Sequence, residues 1–141
     1  PNLTGRENAF LLAKLHFRDL SHEEITTLVN SAIEFSELGN FIDVPYRNYS
    51  KGMQARLCLS VISSRSSDLL ILDEVLEGAD QFFREKIRAR IEKIIKDSSS
   101  VILVSHSIDQ ILAICNKVII LEKGKIIFNG NTKKGCAIYS M

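Results

Sequence analysis

No run in this sequence is apolar for long enough to cross a bilayer, which takes about 20 apolar residues as a helix, although its 45% apolar content is normal for a globular protein. Neither sign of charge dominates, since 18 basic residues stand against 17 acidic ones for a net +1. With no basic block either, net charge gives no support to nucleic-acid or membrane-surface binding. Cysteine is scarce and scattered: Cys58, Cys115 and Cys136 are odd in number and form no CxxC spacing. That argues against a zinc site or a disulfide framework and for a reducing compartment, with the thiols as ordinary small apolar groups. No internal repeat or low-complexity segment is evident, and no signal peptide is visible. The 141 residues amount to one domain or slightly less. Because the sequence starts at Pro1 rather than at a methionine, the expectation is that something was removed or that this is a piece of a longer protein.

What is present divides into two halves. Residues 1–65 read as almost purely helical. An amphipathic stretch at 7–16 comes first, and then Ser21 with Glu24 three residues on makes a capping-box pattern. Ile25, Leu28, Val29, Ala32 and Ile33 follow at helical spacing, and Gly39 is the expected stop. Phe41, Ile42, Val44 and Pro45 form a connector before a further helix at 51–63. Residues 66–141 change character. The runs LLIL at 69–72, VILV at 101–104 and VIIL at 118–121 do not alternate with polar residues, so each is expected to be a strand buried on both faces, as in a parallel sheet. Between them lie helical patterns, one carrying Phe83, Ile87, Ile91, Ile94 and Ile95, the other Ile108, Ile111, Leu112 and Cys115. Strand, helix and strand at this spacing make a βαβ unit. Lys123-Gly124 reads as a tight turn into a short antiparallel strand at 126–128, and Lys133-Lys134 as a solvated turn. The class is α/β, preceded by a helical part.

In parallel α/β sheets functional groups collect at the carboxyl ends of strands. Here the first run ends in Asp73-Glu74 and the second in Ser105-His106. An unpaired carboxylate delivered by a buried strand is costly, and a metal ion would offset that cost. An Asp in such a place suits Mg²⁺ beside a phosphate chain, a neighbouring Glu can polarise an attacking water, and a His from the next strand end can donate to the terminal phosphate. The plainer reading is that Asp73 caps a loop and Glu74 is solvated. His16 and His22, on helical segments, read as exposed or capping groups rather than ligands.

The stretch NYSKGMQARL at 48–57 is the third feature. A helix start offers unpaired N–H groups and the positive end of the dipole. Ser50 adds a hydroxyl, Lys51 a positive charge, and Gly52 close backbone approach. Alternatively Ser50 is only an N-cap.

Helix-start anion site, strand, Asp-Glu, helix, strand and His is the order of the ATP-binding-cassette family. From Gly5 to Gly130 the sequence resembles the ATP-binding subunits of ABC transporters, in particular those exporting polysaccharides such as O-antigen, capsule or teichoic acid. LTGRENAFL resembles the segment after the Q-loop, YSKGMQARL the signature motif, LLILDEVLEGAD the Walker B motif with its D-loop, and ILVSHS the switch-histidine region. The resemblance implies a partial ABC-ATPase, a RecA-like parallel sheet with flanking helices, preceded by a helical subdomain. Its domains would be residues 1–65, a helical signature-motif subdomain docking on the membrane subunit, and 66–141, the C-terminal part of the ATPase core. It implies Asp73 near Mg²⁺, Glu74 as general base for ATP hydrolysis, and His106 on the γ-phosphate. Ser50, Lys51, Gly52 and Met53 would meet the nucleotide held by an opposing subunit, and Asp80 would communicate across that homodimer. The further partners implied are ATP and a transmembrane permease subunit, with no nucleic acid. The implied place is the cytoplasmic face of the membrane, as a peripheral subunit.

Lys51 stands where the subgroup often has a small residue, and EGAD departs from the usual D-loop. Nothing matches G-x-x-x-x-G-K-[ST], since Gly124-Lys125 is followed by Ile126 with no glycine-rich loop before it. The backbone cradle for the α- and β-phosphates, the base-stacking aromatic and the Q-loop glutamine are missing too. The expectation is a C-terminal portion of a longer protein, unable to hydrolyse ATP by itself, with strand edges and faces that invite self-association. Two other readings stay open. One is a soluble ABC-type ATPase of DNA repair or translation. The other is a degenerate, non-catalytic interaction module.

Overall fold

The computed structural model describes residues 2–74, 80–96 and 100–140. Helix α1 (Gly5–His16) and helix α2 (His22–Ser36) each begin with a complete capping box, Thr4 with Glu7 and Ser21 with Glu24. In each, the cap hydroxyl accepts from the N3 amide while the N3 carboxylate accepts from the cap amide, which satisfies two otherwise orphaned donors. Two short 3₁₀ turns, Gly39–Asp43 and Tyr46–Asn48, lead to helix α3 (Lys51–Ile62). The chain leaves α2 earlier than expected. Glu37, not Gly39, takes the left-handed cap at φ 54°, and Gly39 opens the 3₁₀ turn, also at positive φ. The carboxylate of Glu37 receives Lys86 Nζ at 2.6 Å, a contact that helps hold a non-glycine residue there.

Strand β1 (Leu69–Asp73) pairs in parallel with β2 (Ser100–Val104), with helix α4 (Gln81–Lys96) between them in the chain. The expected βαβ unit is therefore present. The expectation of strands buried on both faces is corrected. Leu70 and Leu72 are buried against Phe83, Ile87, Ile91 and Ile94 of α4. Their alternates Leu69 and Ile71, and on the same face Ile102 and Val104 of β2, are 46–58% exposed. An unbroken apolar run does not say how many of its faces the described residues cover.

For the third run the antiparallel return is as expected, and what is corrected is its place in a parallel sheet buried on both faces. Strand β3 (Lys117–Glu122) pairs antiparallel with β4 (Lys125–Asn131) in a separate two-stranded sheet among the described residues. The turn at Lys123-Gly124 is as expected, with both residues at positive φ, 48° and 75°. This is the pattern of a two-residue hairpin turn. Strand β4 is longer than 126–128, and Lys133-Lys134 lies in the first turn of helix α6 (Thr132–Tyr139) rather than in a solvated turn. Asn131 caps that helix by accepting from the amides of Lys133 and Lys134. Helix α5 (Ile108–Ile114) completes the elements.

Two apolar cores meet on α3. Leu57 and Val61 join Ala9, Ala13, Ile25, Val29, Ala32 and Tyr49 in one. Ala55, Leu59 and Ile62 join the β1–α4 residues in the other. Helix α3 is thus a shared wall, which explains why its apolar residues do not follow a single stripe. Tyr49, just before it, is anchored by its hydroxyl donating to Phe41 O at 2.6 Å. Gly5 makes room for that ring, since a Cβ there would lie 1.9 Å from the Tyr49 oxygen.

Candidate functional site

The carboxyl ends of β1 and β2 deliver the chemistry. Register pairs Asp73 with Val104, and the Glu74 amide donates to Val104 O at 2.9 Å, extending the ladder one residue past the strand. Glu74 then turns to φ 52°, a left-handed conformation costing a non-glycine residue about 1–2 kcal/mol. Strain of this kind gathers at sites whose side chains must be aimed. The Glu74 carboxylate accepts from His106 Nε2 at 3.0 Å, with the two side chains 53% and 73% exposed. That exposure leaves the pair open to a ligand and makes it a poor stability device.

The loop carrying His106 is stiffened on both sides. Ser105 Oγ accepts from the Ser107 amide at 3.0 Å and donates to Gln110 Oε1 at 3.1 Å. Ser107 in turn caps α5 by accepting from the Gln110 amide. On its other ring nitrogen, His106 Nδ1 meets Tyr139 Oη at 3.2 Å. Asp73 is exposed at the end of β1. Among the described residues no cluster of three or more His, Cys, Asp or Glu side chains could hold a metal ion unaided. A single strand-end carboxylate fits a hard cation that keeps most of its water and takes its other ligands from a phosphate chain, as Mg²⁺ does.

Ser50, Lys51, Gly52 and Met53 belong to a different element, the start of α3. Ser50 caps that helix, its hydroxyl accepting from the Met53 amide at 3.1 Å, so the plainer N-cap role is real. Lys51 is exposed, whereas Met53 packs partly into the helical core. Asp80 sits at the head of α4, where Oδ1 accepts from the Phe83 amide at 3.0 Å and Oδ2 accepts from Arg56 Nε at 3.0 Å. Arg56 also donates to Ser36 O and lies over the Phe83 ring, 5.1 Å from its centroid. The helix that starts at Ser50 is thereby tied to the segment following the strand end. Residues 75–79, which include most of the D-loop stretch, lie outside the described residues. Sequence reasoning missed Arg56 and Tyr139. For Arg56 a signal existed, an arginine inside NYSKGMQARL with an acid at Asp80, but nothing in the spacing says that they meet.

The Asp80 carboxyl is held below the ordinary aspartate value, first by the Phe83 amide and then by Arg56. A folded-state value below the unfolded one contributes stability above the unfolded value and loses it as pH falls through the folded one. Melting temperature should therefore fall between about pH 5 and pH 3, and less steeply in Asp80→Asn, which can keep the cap but not the charge. Equal slopes in the two proteins would refute this role for Asp80.

No family model matches the chain. In sequence it is 40% identical over 139 residues to the O-antigen export system ATP-binding protein RfbB of Klebsiella pneumoniae, covering 99% of this chain and 56% of that protein. It is 34% identical over 133 residues to the ABC transporter protein AbcA of Aeromonas salmonicida, covering 94% and 42%. It is also 36% identical over 132 residues to the teichoic acids export ATP-binding protein TagH of Listeria innocua, covering 94% and 39%. The chain spans about half the length, or less, of these curated relatives. In fold it resembles the ATP-binding cassette MJ0796, solved as a dimer in a post-hydrolysis state with ADP and Pi, at a TM-score of 0.77 and 23% identity, covering 94% of this chain and 58% of that one. The resemblance read from the motifs therefore holds over nearly the whole chain, and the fold is that of part of an ATP-binding cassette.

Proposed function

We propose that this chain, similar throughout to ATP-binding subunits of polysaccharide exporters, is the signature and water-activating portion of such a subunit, and that the full-length gene product couples ATP hydrolysis to glycan export. The observation that carries the reading is the Glu74–His106 contact at 3.0 Å, made across the ends of two adjacent parallel strands. In that role Glu74 takes a proton from the attacking water as its oxygen bonds to the γ-phosphorus and ADP departs. His106 Nε2 donates to a γ-phosphate oxygen and stabilises the charge on it. Asp73 would hold Mg²⁺, directly or through water, and the ion would supply charge neutralisation along the phosphates.

Ser50, Lys51, Gly52 and Met53 would face the nucleotide of an opposing subunit in a homodimer. The amides at the start of α3 and the Lys51 ammonium suit a phosphate, and Asp80, joined to α3 through Arg56, would relay changes between the two halves. Residues 1–65 would form the helical subdomain that docks on the transmembrane permease subunit, and 66–141 the C-terminal part of the ATPase core. No helix among the described residues is long and apolar enough to cross a membrane; the place proposed for the subunit is the cytoplasmic face of the membrane, held peripherally. Lacking a glycine-rich phosphate loop, the 141 residues by themselves should hydrolyse no ATP.

The test is nucleotide binding and Mg²⁺-dependent ATP hydrolysis by the purified full-length gene product beside the 141-residue chain. Turnover in the first and none in the second is expected. A full-length protein that binds no ATP would end the proposal.

A further inference from the structure

Helix α6 is set against the hairpin by close contacts. At Gly135 a Cβ would come within 2.2 Å of Val118 Cγ2 and 2.9 Å of the Phe128 ring, so the helix backbone lies as near β3 and β4 as a residue without a side chain permits. Thr132 Oγ1 donates to Cys115 O at 2.9 Å, and Cys136 is buried. These contacts fix the first turn of α6, and Tyr139 stands at its last position, one turn beyond Gly135. From there its hydroxyl reaches Nδ1 of a histidine 33 residues earlier, at 3.2 Å.

The chemistry of the imidazole gives this contact a direction. His106 Nε2 faces a carboxylate, an acceptor, so Nε2 carries the proton. In the neutral ring Nδ1 is then an acceptor, and the phenol is the group that donates. Which nitrogen of a histidine holds the proton is set by the bond that the other one makes.

We propose that Tyr139 is a positioning residue for His106: its hydroxyl donates to Nδ1, fixes the Nε2–H tautomer and keeps that N–H aimed at the end of β1 beside Glu74. The proposal rests on the hydrolytic reading of Glu74 and His106 for its consequence, though not for its geometry. Without the tyrosine the tautomer rests on the exposed Glu74 contact, and whenever that contact opens the ring can exchange to the tautomer in which Nε2 presents a lone pair, which repels a phosphate oxygen instead of binding it.

The experiment is ¹⁵N–¹H NMR of the His106 ring in the full-length gene product, wild type against Tyr139→Phe, at mildly alkaline pH. Tyr139 is 52% exposed and loses one oxygen, so the melting temperature should not change. Wild type should show Nε2 protonated and Nδ1 as a hydrogen-bonded acceptor. The variant should show a mixture of tautomers, and its kcat should fall about tenfold with KM nearly constant. Should Tyr139→Phe lower the melting temperature, Gly135→Ala, which keeps the hydroxyl but forces α6 off the hairpin, should produce the same change at the ring. Identical ring signals in wild type and variant would overturn the proposal. The two readings can fail separately. An altered tautomer in a protein whose ATP hydrolysis survives Glu74→Gln would sink the hydrolytic role and leave the positioning intact. A Glu74-dependent hydrolysis with an unaltered tautomer would do the reverse.

Discussion

Glu74→Gln in the full-length gene product is expected to lower ATP hydrolysis by at least about 100-fold while leaving ATP binding within a few-fold of wild type. The substitution is nearly isosteric. An amide oxygen can still accept from His106 Nε2, so the 3.0 Å contact and the left-handed backbone at Glu74 have no reason to change. What disappears is the lone pair basic enough to take a proton from water. Binding should survive because it would draw on phosphate contacts at other residues, so the loss should fall on kcat rather than on KM. His106→Ala should also slow turnover, by a different route, since it removes a donor to developing charge and leaves the base in place. Turnover measured with radiolabelled ATP, together with equilibrium binding of the nucleotide, separates these effects. A Glu74→Gln protein that hydrolyses ATP at even a tenth of the wild-type rate would mean that another group, or water alone, takes the proton. The strand-end carboxylate would then be a structural partner of His106.

The parts of this arrangement that sequence alone could reach are those set by local rules. Ser21 with Glu24, and Lys123 with Gly124, are decided by neighbours within a few residues, and both form as expected. That β1 and β2 would carry Glu74 and His106 to one place followed from a single general property, the gathering of functional groups at the carboxyl ends of parallel strands. Local rules fail where a residue's fate is decided far along the chain. The apolar run at 118–121 looks like the other two, and although the turn two residues later announced its antiparallel partner, nothing near it in the chain says that among the described residues it joins no parallel neighbour. A glycine in the middle of a short segment argues against a helix, so α6 was hidden by Gly135, whose missing side chain is what lets that helix sit against Val118 and Phe128. Tyr139 was invisible for the same reason, because its contact depends on where α6 packs. Helix α2 ends at a left-handed Glu37, two residues before the expected stop at Gly39, with Lys86 bonded to the Glu37 carboxylate, and that lysine lies 49 residues away.

Phe83→Ala is expected to cost about 3–5 kcal/mol of folding stability, a large share of what a domain of this size has in total. Phe83 is fully buried and joins three helices. On its own helix α4 it begins the row continued by Ile87, Ile91 and Ile94 against Leu70 and Leu72 of β1. Its ring meets Phe35 of α2 edge-on, with centroids 5.9 Å apart, and carries the Arg56 guanidinium of α3 at 5.1 Å. Truncation leaves a cavity that none of these neighbours can fill without moving an element, so the loss exceeds the transfer free energy of the ring alone. The adjacent Phe82 is the control. It is 64% exposed, and Phe82→Ala should stay within about 0.5 kcal/mol of wild type. Urea denaturation of both variants gives the comparison, read as a change in midpoint at constant slope. The functional consequence follows from what the ring supports. The Phe83 amide and Arg56 are the two groups that hold Asp80. Loosening the ring therefore loosens the tie between the helix that starts at Ser50 and the segment that follows Glu74. Equal, small effects at Phe82 and Phe83 would show that α4 is held by its isoleucines alone and that the Arg56–Asp80 tie needs no ring beneath it.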